Sequence, residues 1–300
     1  MKIIHLLHDK IDRHRWDEAI TASTNTMPYA FSWYLDAVCP GWEALVADDY
    51  HYVMPLPVKC KWGVKYLITP RWTQQLGLFS DREADDVVLR RFIRAIPYFF
   101  YDFNINYANV GEGRVAAADK TNYVISAEGG MQAVRRRYDE NTRRSVERAR
   151  GYNFEIDDEL EVEDFVRLWQ AVNEDKADEL HKKLPQLAFA AEDNRCGIFV
   201  GIYSEDEPIA AAFAVRAKDR LVFLAPVSTR RGKEKCAMFL IVDYLIKEWC
   251  CRYGLLFDCE GSMLPGVARF YRGFGPKKQN YGSIRRGRPD WLVRLLSIVK

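Results

Sequence analysis

Three short segments and one helical stripe hold side chains that can do chemistry together. Arg230-Arg231-Gly232-Lys233-Glu234-Lys235 sets cations around a glycine, between an apolar strand and a long apolar run. Unsatisfied N–H groups at a helix start, backed by such a loop, can cradle a pyrophosphate. A solvated basic turn is the alternative for the same residues. Asp258 and Glu260 stand two apart, so a strand running through both puts them on one face. Mutual repulsion would then raise one pKa toward the range in which a carboxylate accepts a proton from an attacking amine. Solvated turn acids are the alternative for at least one of them. Tyr271 follows in Arg269-Phe270-Tyr271-Arg272-Gly273-Phe274-Gly275. Its hydroxyl can protonate a leaving group, or the ring can serve packing alone.

The stripe lies in residues 131–150, where seven arginines face three acids. At about 100° per residue, Met131, Val134, Tyr138, Thr142 and Ala149 share one face, and Arg136, Glu140, Arg143, Glu147 and Arg150 a self-neutralising one. Arg137, Asn141, Arg144 and Arg148 form a separate stripe that can hold an anionic ligand by its arginine forks. Pairing with acids of residues 151–193 is the alternative. If Asn141 caps a new helix after a break, only Arg144 and Arg148 keep their alignment.

The elements that position these groups occur twice. Sliding the chain by 156 residues lays Trp42–Pro70 over Ile198–Pro226, with the Asp48-Asp49 turn over Ser204-Glu205 and Lys61-Trp62-Gly63 over Ala217-Lys218-Asp219. Each three-stranded meander is followed by an amphipathic helix, 85–97 and about 236–253, and by another strand, 101–110 and 255–258. Pro55 and Pro57 mark the second strand of the first copy as an edge strand or a bulge. A short helix is expected at 29–38, a strand at 122–127, and two helices in 160–193 broken near Pro185. Gly151 is expected to end the arginine helix in the left-handed conformation. A final hairpin and an amphipathic segment, Trp291 to Val299, close the chain.

Taken in order, the meander, basic loop, long helix, acidic strand and Arg269-to-Gly275 segment resemble an N-acetyltransferase of the GNAT superfamily. Two copies joined by Asn141-Thr142-Arg143-Arg144-Ser145-Val146-Glu147-Arg148-Ala149 are similar to the Fem-type aminoacyltransferases and their bacterial relatives. Gln74-Gln75-Leu76-Gly77-Leu78-Phe79-Ser80 and Asp258-Cys259-Glu260-Gly261-Ser262 are similar to segments of FemAB-like proteins. The resemblance implies an α/β (α+β) protein with tandem GNAT-like domains, each a mixed twisted sheet flanked by helices. It implies Arg230, Arg231, Gly232, Lys233 and Lys235 as the loop for the pyrophosphate of coenzyme A, Tyr271 as general acid, and splayed strands that admit the acyl pantetheine. The usual acetyl-CoA loop is Gln or Arg, two residues, Gly, one residue, then Gly or Ala. Here Gly232 falls at the first position and Lys235 at the glycine position, which leaves the donor open.

The domains are drawn at 1–125 and 126–300, the second including the arginine helix 131–150. Three hundred residues with 48% apolar content suffice for two cores. The reading is an acyl- or aminoacyl-transferase moving an acyl group from acyl-CoA or aminoacyl-tRNA to an amine, with a cell-wall precursor among the acceptors considered. A carboxylate or water near Asp258 and Glu260 would take the amine's proton and Tyr271 would protonate the leaving group. Trp72, Gln74 and Gln75 would wall the acceptor, and Arg144 and Arg148 would hold its charged end. The rival is a catalytically silent GNAT-fold protein that binds an anion. No tightly bound cofactor and no metal are expected, since seven cysteines without a C-x-x-C pair fit reduced thiols. No segment approaches about 18 apolar residues, which points to a cytoplasmic protein. The C-terminal Arg285, Arg286, Arg288 and the amphipathic 291–299 suit either packing on the domain or peripheral docking on an anionic membrane.

Overall fold

Four chain reversals in the two meanders are built from positive φ angles: Asp48 and Asp49 at 48° and 60°, Trp62 and Gly63 at 51° and 77°, Glu205 and Asp206 at 56° and 63°, and Lys218 at 42°. Turns of this hand match the right-handed twist of the flanking strands, which is why the two copies reverse at corresponding places. The computed structural model describes residues 1–111, 119–174, 179–260 and 265–287. Glu112 and Gly113 of the expected turn, Gly261 and Ser262, Arg288 and the segment 291–299 lie outside the described residues.

Contacts divide the chain into two units, residues 1–120 with the chain from Asn280 onward, and Thr121–Gln279. In the first unit come β1 (Ile3–Leu6), α1 (Arg13–Ala22), α2 (Ser32–Val38), β2 (Glu43–Ala47), β3 (Tyr52–Leu56), β4 (Val58–Lys61), β5 (Val64–Ile68), β6 (Phe79–Ser80), α3 (Asp86–Ala95) and β7 (Tyr101–Ile105). The second holds β8 (Tyr123–Ile125), α4 (Gly130–Arg136), α5 (Glu140–Arg150), β9 (Glu155–Asp157), α6 (Val162–Val172), α7 (Glu179–Asp193), β10 (Gly197–Ser204), β11 (Glu207–Ala217), β12 (Arg220–Ser228), α8 (Arg230–Glu234), α9 (Ala237–Leu245), β13 (Leu256–Asp258), α10 (Pro265–Arg272) and β14 (Lys277–Lys278). Then β15 (Gly282–Arg286) returns to the first unit and pairs with β7. The boundary expected at 125/126 therefore moves to 120/121, because β8 is bonded between β13 and β14, and residues 280–287 leave the second domain.

The first unit has two four-stranded sheets, ordered β1-β2-β3-β6 and β15-β7-β5-β4. Pro57, which has no N–H to donate, separates β3 in one sheet from β4 in the other, and Pro55 sits in β3 beyond the two residues that pair with β6. Asp85 caps α3, its carboxylate accepting the Val88 N–H at 2.8 Å, and Leu89 and Phe92 carry its buried stripe.

Seven strands make the sheet of the second unit, ordered β14-β8-β13-β12-β11-β10-β9, antiparallel except where β13 runs parallel to β12. Both faces of β11 and β12 are buried, which explains their near-continuous apolar runs. Helix α9, almost wholly apolar, packs beside α5 and the sheet and continues through a π-helical turn at Ile246–Cys251.

Three local expectations change. The arginine helix is two helices, broken at Asp139, whose carboxylate accepts the Thr142 N–H at 2.7 Å; the cap is Asp139, not Asn141. Gly151 ends α5 at φ −70°, right-handed, because its N–H still reaches the Glu147 and Arg148 carbonyls. Pro185 lies inside α7 rather than at a break.

Candidate active site

Pairing between β12 and β13 covers Arg220 with Leu256, Leu221 with Phe257 and Val222 with Asp258, and then stops while β12 runs on to Ser228. A register shift opposite Phe213 and Ala214 leaves Leu224 as the extra residue of a bulge just past the last pair. The strands part there, and a cleft of about 460 Å³ opens, walled by Pro226, Val227 and Ser228 on one side and Val267, Phe270 and Tyr271 on the other. It reaches Gly232 and Lys233 of α8, Cys236 at the start of α9, and Val172 and Asn173 at the end of α6. The Thr229 N–H donates to the Ile209 carbonyl at 3.0 Å, so antiparallel alternation turns the Ser228 N–H toward the open edge. Pro226, two residues earlier, has no N–H to offer.

The expected basic loop is the short helix α8, capped by Thr229, whose hydroxyl accepts the Gly232 N–H at 3.1 Å. Gly232 is held so close to the sheet that a Cβ there would meet the Ile209 carbonyl oxygen at 2.1 Å. Of the five loop residues, Gly232 and Lys233 line the cleft. Arg230, 94% exposed, pairs with Glu234 at 3.0 Å, and Arg231 forks onto Glu205 and Glu207 at 2.6 and 3.1 Å. Lys235 turns to another hollow, donating to the Ser204 hydroxyl at 3.2 Å with its ammonium 5.0 Å over the Tyr152 ring. The expected cradle of four cations around Gly232 is therefore not brought together here, because helical winding sends successive side chains to different sides.

Tyr271, on α10, is 4% exposed, edge-on to Phe223 and packed beside Phe270, and its hydroxyl makes no hydrogen bond to a described residue. Burial pushes this phenol well above its usual pKa, and the nearby acidic groups Cys259, Glu260 and Asp258 add to the effect. It therefore stays protonated through neutral pH. Asp258 is no base. Fully buried, it accepts from Arg220 at 2.5 Å, from Asn122 at 2.7 Å and from the Glu260 N–H at 3.0 Å. Its partner Arg220, also buried, donates to Gln279 at 3.0 Å as well. The two acids do not share a strand face either: β13 ends at Asp258 and Glu260 stands at φ 46°, half-buried.

Residues 133–260 match the model of the acetyltransferase (GNAT) domain family. Among solved structures, FemX superposes with a TM-score of 0.69 at 9% identity, over 99% of this chain and 100% of that one. A conserved protein of unknown function from Bacteroides thetaiotaomicron VPI-5482 superposes with a TM-score of 0.61 at 12% identity, over 92% and 97% of the two chains. The chain has a Fem-like GNAT fold. No curated protein matches it. The segment that matches the acetyltransferase (GNAT) domain model lies within the second unit, and so does the cleft between β12 and β13.

The remaining expected residues make local contacts of their own. Arg144 pairs with Glu140 one turn away, and the exposed Arg148 donates to the Tyr152 hydroxyl at 3.4 Å; neither lines the cleft. Arg137 is bonded to the Ser126 carbonyl. In the first unit, the half-buried Trp72 gives its carbonyl to the Tyr34 hydroxyl. Gln75, fully buried, donates its side-chain amide to the Gln74 side-chain Oε1 at 2.7 Å and accepts the Tyr107 N–H at 3.0 Å. These residues belong to a plug. Strands β5 and β7 are the parallel pair corresponding to β12 and β13. Beyond their pairing, Leu76 bonds to Asn104 at 3.3 Å and the Asn106 N–H to Leu76 at 2.8 Å, while the Asn104 side chain holds the Gln74 carbonyl at 2.8 Å. The chain itself thus fills in the first unit the position that stands open in the second.

Sequence reasoning missed Phe239, Phe270 and Cys236 in the cleft, because an apolar run gives no sign of which members line a void. It also missed Asp243, buried in α9, which accepts from Arg135 at 2.7 and 3.0 Å, Arg150 at 2.7 Å and Tyr138 at 3.2 Å. A lone acid in Ala237-Met238-Phe239-Leu240-Ile241-Val242-Asp243 was the available signal, since a buried charge requires partners.

Proposed function

We propose that the second unit transfers an acyl group from a thioester to an amine, with the thioester carbonyl lying between Ser228 and Tyr271. The parting of β12 from β13 after Val222 and Asp258, with a cleft running from α8 to Tyr271, carries this reading. Val227, Phe239, Val267 and Phe270 give the cleft an apolar wall suited to an aliphatic acyl-CoA arm, and Lys233 stands at its mouth for the phosphates. The acceptor enters past Val172 and Asn173. Its nitrogen forms the bond to the carbonyl carbon while the C–S bond breaks and the sulfur leaves with the electron pair. The Ser228 N–H polarises the carbonyl oxygen, and the Tyr271 hydroxyl gives its proton to the departing thiolate. The amine's proton passes to Glu260 through water and from there restores Tyr271. In this scheme Asp258 positions Glu260 by holding its N–H.

Titration with a series of acyl-CoA thioesters, followed by an assay of thiol release with amine acceptors, tests the proposal. Tyr271→Phe is expected to lower turnover by about 10²- to 10⁴-fold with an unchanged melting temperature. With the phenol pKa raised, the wild type should show no loss of turnover from tyrosine ionisation up to about pH 10. Full turnover in the variant removes Tyr271 from the mechanism, and failure of every CoA thioester to bind removes the donor. A second reading, a catalytically silent anion-binding protein, is favoured by the engagement of Arg230, Arg231 and Lys235 away from the cleft. Binding of CoA without transfer to any amine supports it.

A further inference from the structure

At one end of the sheet β15-β7-β5-β4 in the first unit, three large apolar side chains stand in solvent: Trp62 is 74% exposed, Phe99 61% and Val64 50%. The register puts them together. Lys61 pairs with Val64 across the β4–β5 turn that carries Trp62. Strand β5 runs parallel to β7, with the Leu67 N–H on the Phe100 carbonyl at 3.1 Å, so Phe99 precedes β7 at that same end. Arg286 pairs with Tyr101 and ends β15 there.

Each exposed ring has its own cation. The Lys61 ammonium lies 5.0 Å over Trp62, and the Arg286 guanidinium 5.5 Å over Phe99. Among the described residues neither cation makes an ion pair with a carboxylate. Residues 50–80 contain three lysines and Arg71 but no Asp or Glu. Apolar side chains at a sheet tip, with cations whose stems run alongside them, are an arrangement that sinks into a headgroup layer while keeping its charge at the surface. Nucleic acid fits less well, since each ring face is already covered by its own cation and Val64 has no stacking surface.

We propose that this tip docks the protein on an anionic phospholipid surface, with Trp62, Val64 and Phe99 entering the interface and Lys61 and Arg286 meeting the lipid phosphates. The proposal stands apart from the transferase reading, because the tip belongs to the first unit and the cleft to the second.

Co-sedimentation of the full chain with phosphatidylcholine vesicles, with and without one-third phosphatidylglycerol, tests it. Binding is expected only with the anionic lipid and should weaken with salt. Trp62→Asn, which suits the φ of 51° there, combined with Phe99→Thr, should lower partitioning at least tenfold with an unchanged circular-dichroism melt. Lys61→Gln and Arg286→Gln should each lower it about fivefold. Absence of binding to anionic vesicles, binding that ignores salt and lipid charge, or undiminished binding by the Trp62/Phe99 variant would each overturn the proposal.

Discussion

Asp258→Ala is expected to destabilise the second unit by about 3–5 kcal/mol, the usual consequence of leaving a buried charge without its partner. The structure sets this magnitude. The side chains of Arg220 and Asp258 are 4% and 0% exposed and meet at 2.5 Å, so water cannot replace the carboxylate when it is removed. The alanine also orphans the Asn122 amide and the Glu260 N–H, both bonded to the same carboxylate. Against a total stability of about 5–15 kcal/mol, the loss is a large fraction, visible as a fall in melting temperature of about 10 °C. Urea unfolding followed by circular dichroism measures it. The double variant Arg220→Met/Asp258→Leu removes both charges and keeps apolar volume, so it should recover more than half of the loss. A base at the reacting centre would behave in the opposite way, with turnover lost and stability kept. If Asp258→Ala unfolds within about 1 kcal/mol of wild type, or the double variant is no more stable than the single one, the assignment of Asp258 to the framework is wrong.

Gly232→Ala drives a methyl group against the Ile209 carbonyl oxygen at 2.1 Å and the Ser228 hydroxyl at 2.7 Å. Displacement of α8 should cost about 1–3 kcal/mol and weaken binding of any ligand in the cleft, and an unchanged melt together with unchanged CoA titration would contradict it. In the first unit, burial pushes the Glu43 carboxyl up, but hydrogen bonds from Lys65, Tyr98 and His5 outweigh it and hold the pKa below the usual 4.5. This stabilisation is fully present above about pH 4.5 and is lost as pH falls through the lower folded value. Glu43→Gln should therefore flatten the acid limb of stability against pH, and an identical limb in the variant would exclude the group.

The pattern of strands and turns was legible because it is local. The 156-residue repeat appeared as two meanders because turn geometry and period-two alternation depend on neighbours in sequence, and the reversals at Asp48 and Glu205 are where the pattern put them. Splayed strands were implied by the resemblance and not by the residue pattern, and β12 and β13 part after Asp258. Side-chain destinations were less legible. Arg144, Arg230 and Arg231 offered the same cationic group, and each found an acid that the sequence could not single out. Asp258 and Glu260 looked equivalent until one was buried against Arg220 and the backbone turned left-handed at the other.

The amino-acid sequence alone determined the class of fold, the duplication and the position of Tyr271 after an acidic strand, since these follow from periodicity, turn residues and order along the chain. Only the tertiary structure decided that the strand gap is open in the second unit and filled by residues 73–78 in the first, which groups reach the cleft, and that Asp258 serves the core. Burial and ion pairing are set by atoms distant in sequence. The carboxylate of Asp258 is held by Arg220 and Asn122, one of them 38 and the other 136 residues away in the chain.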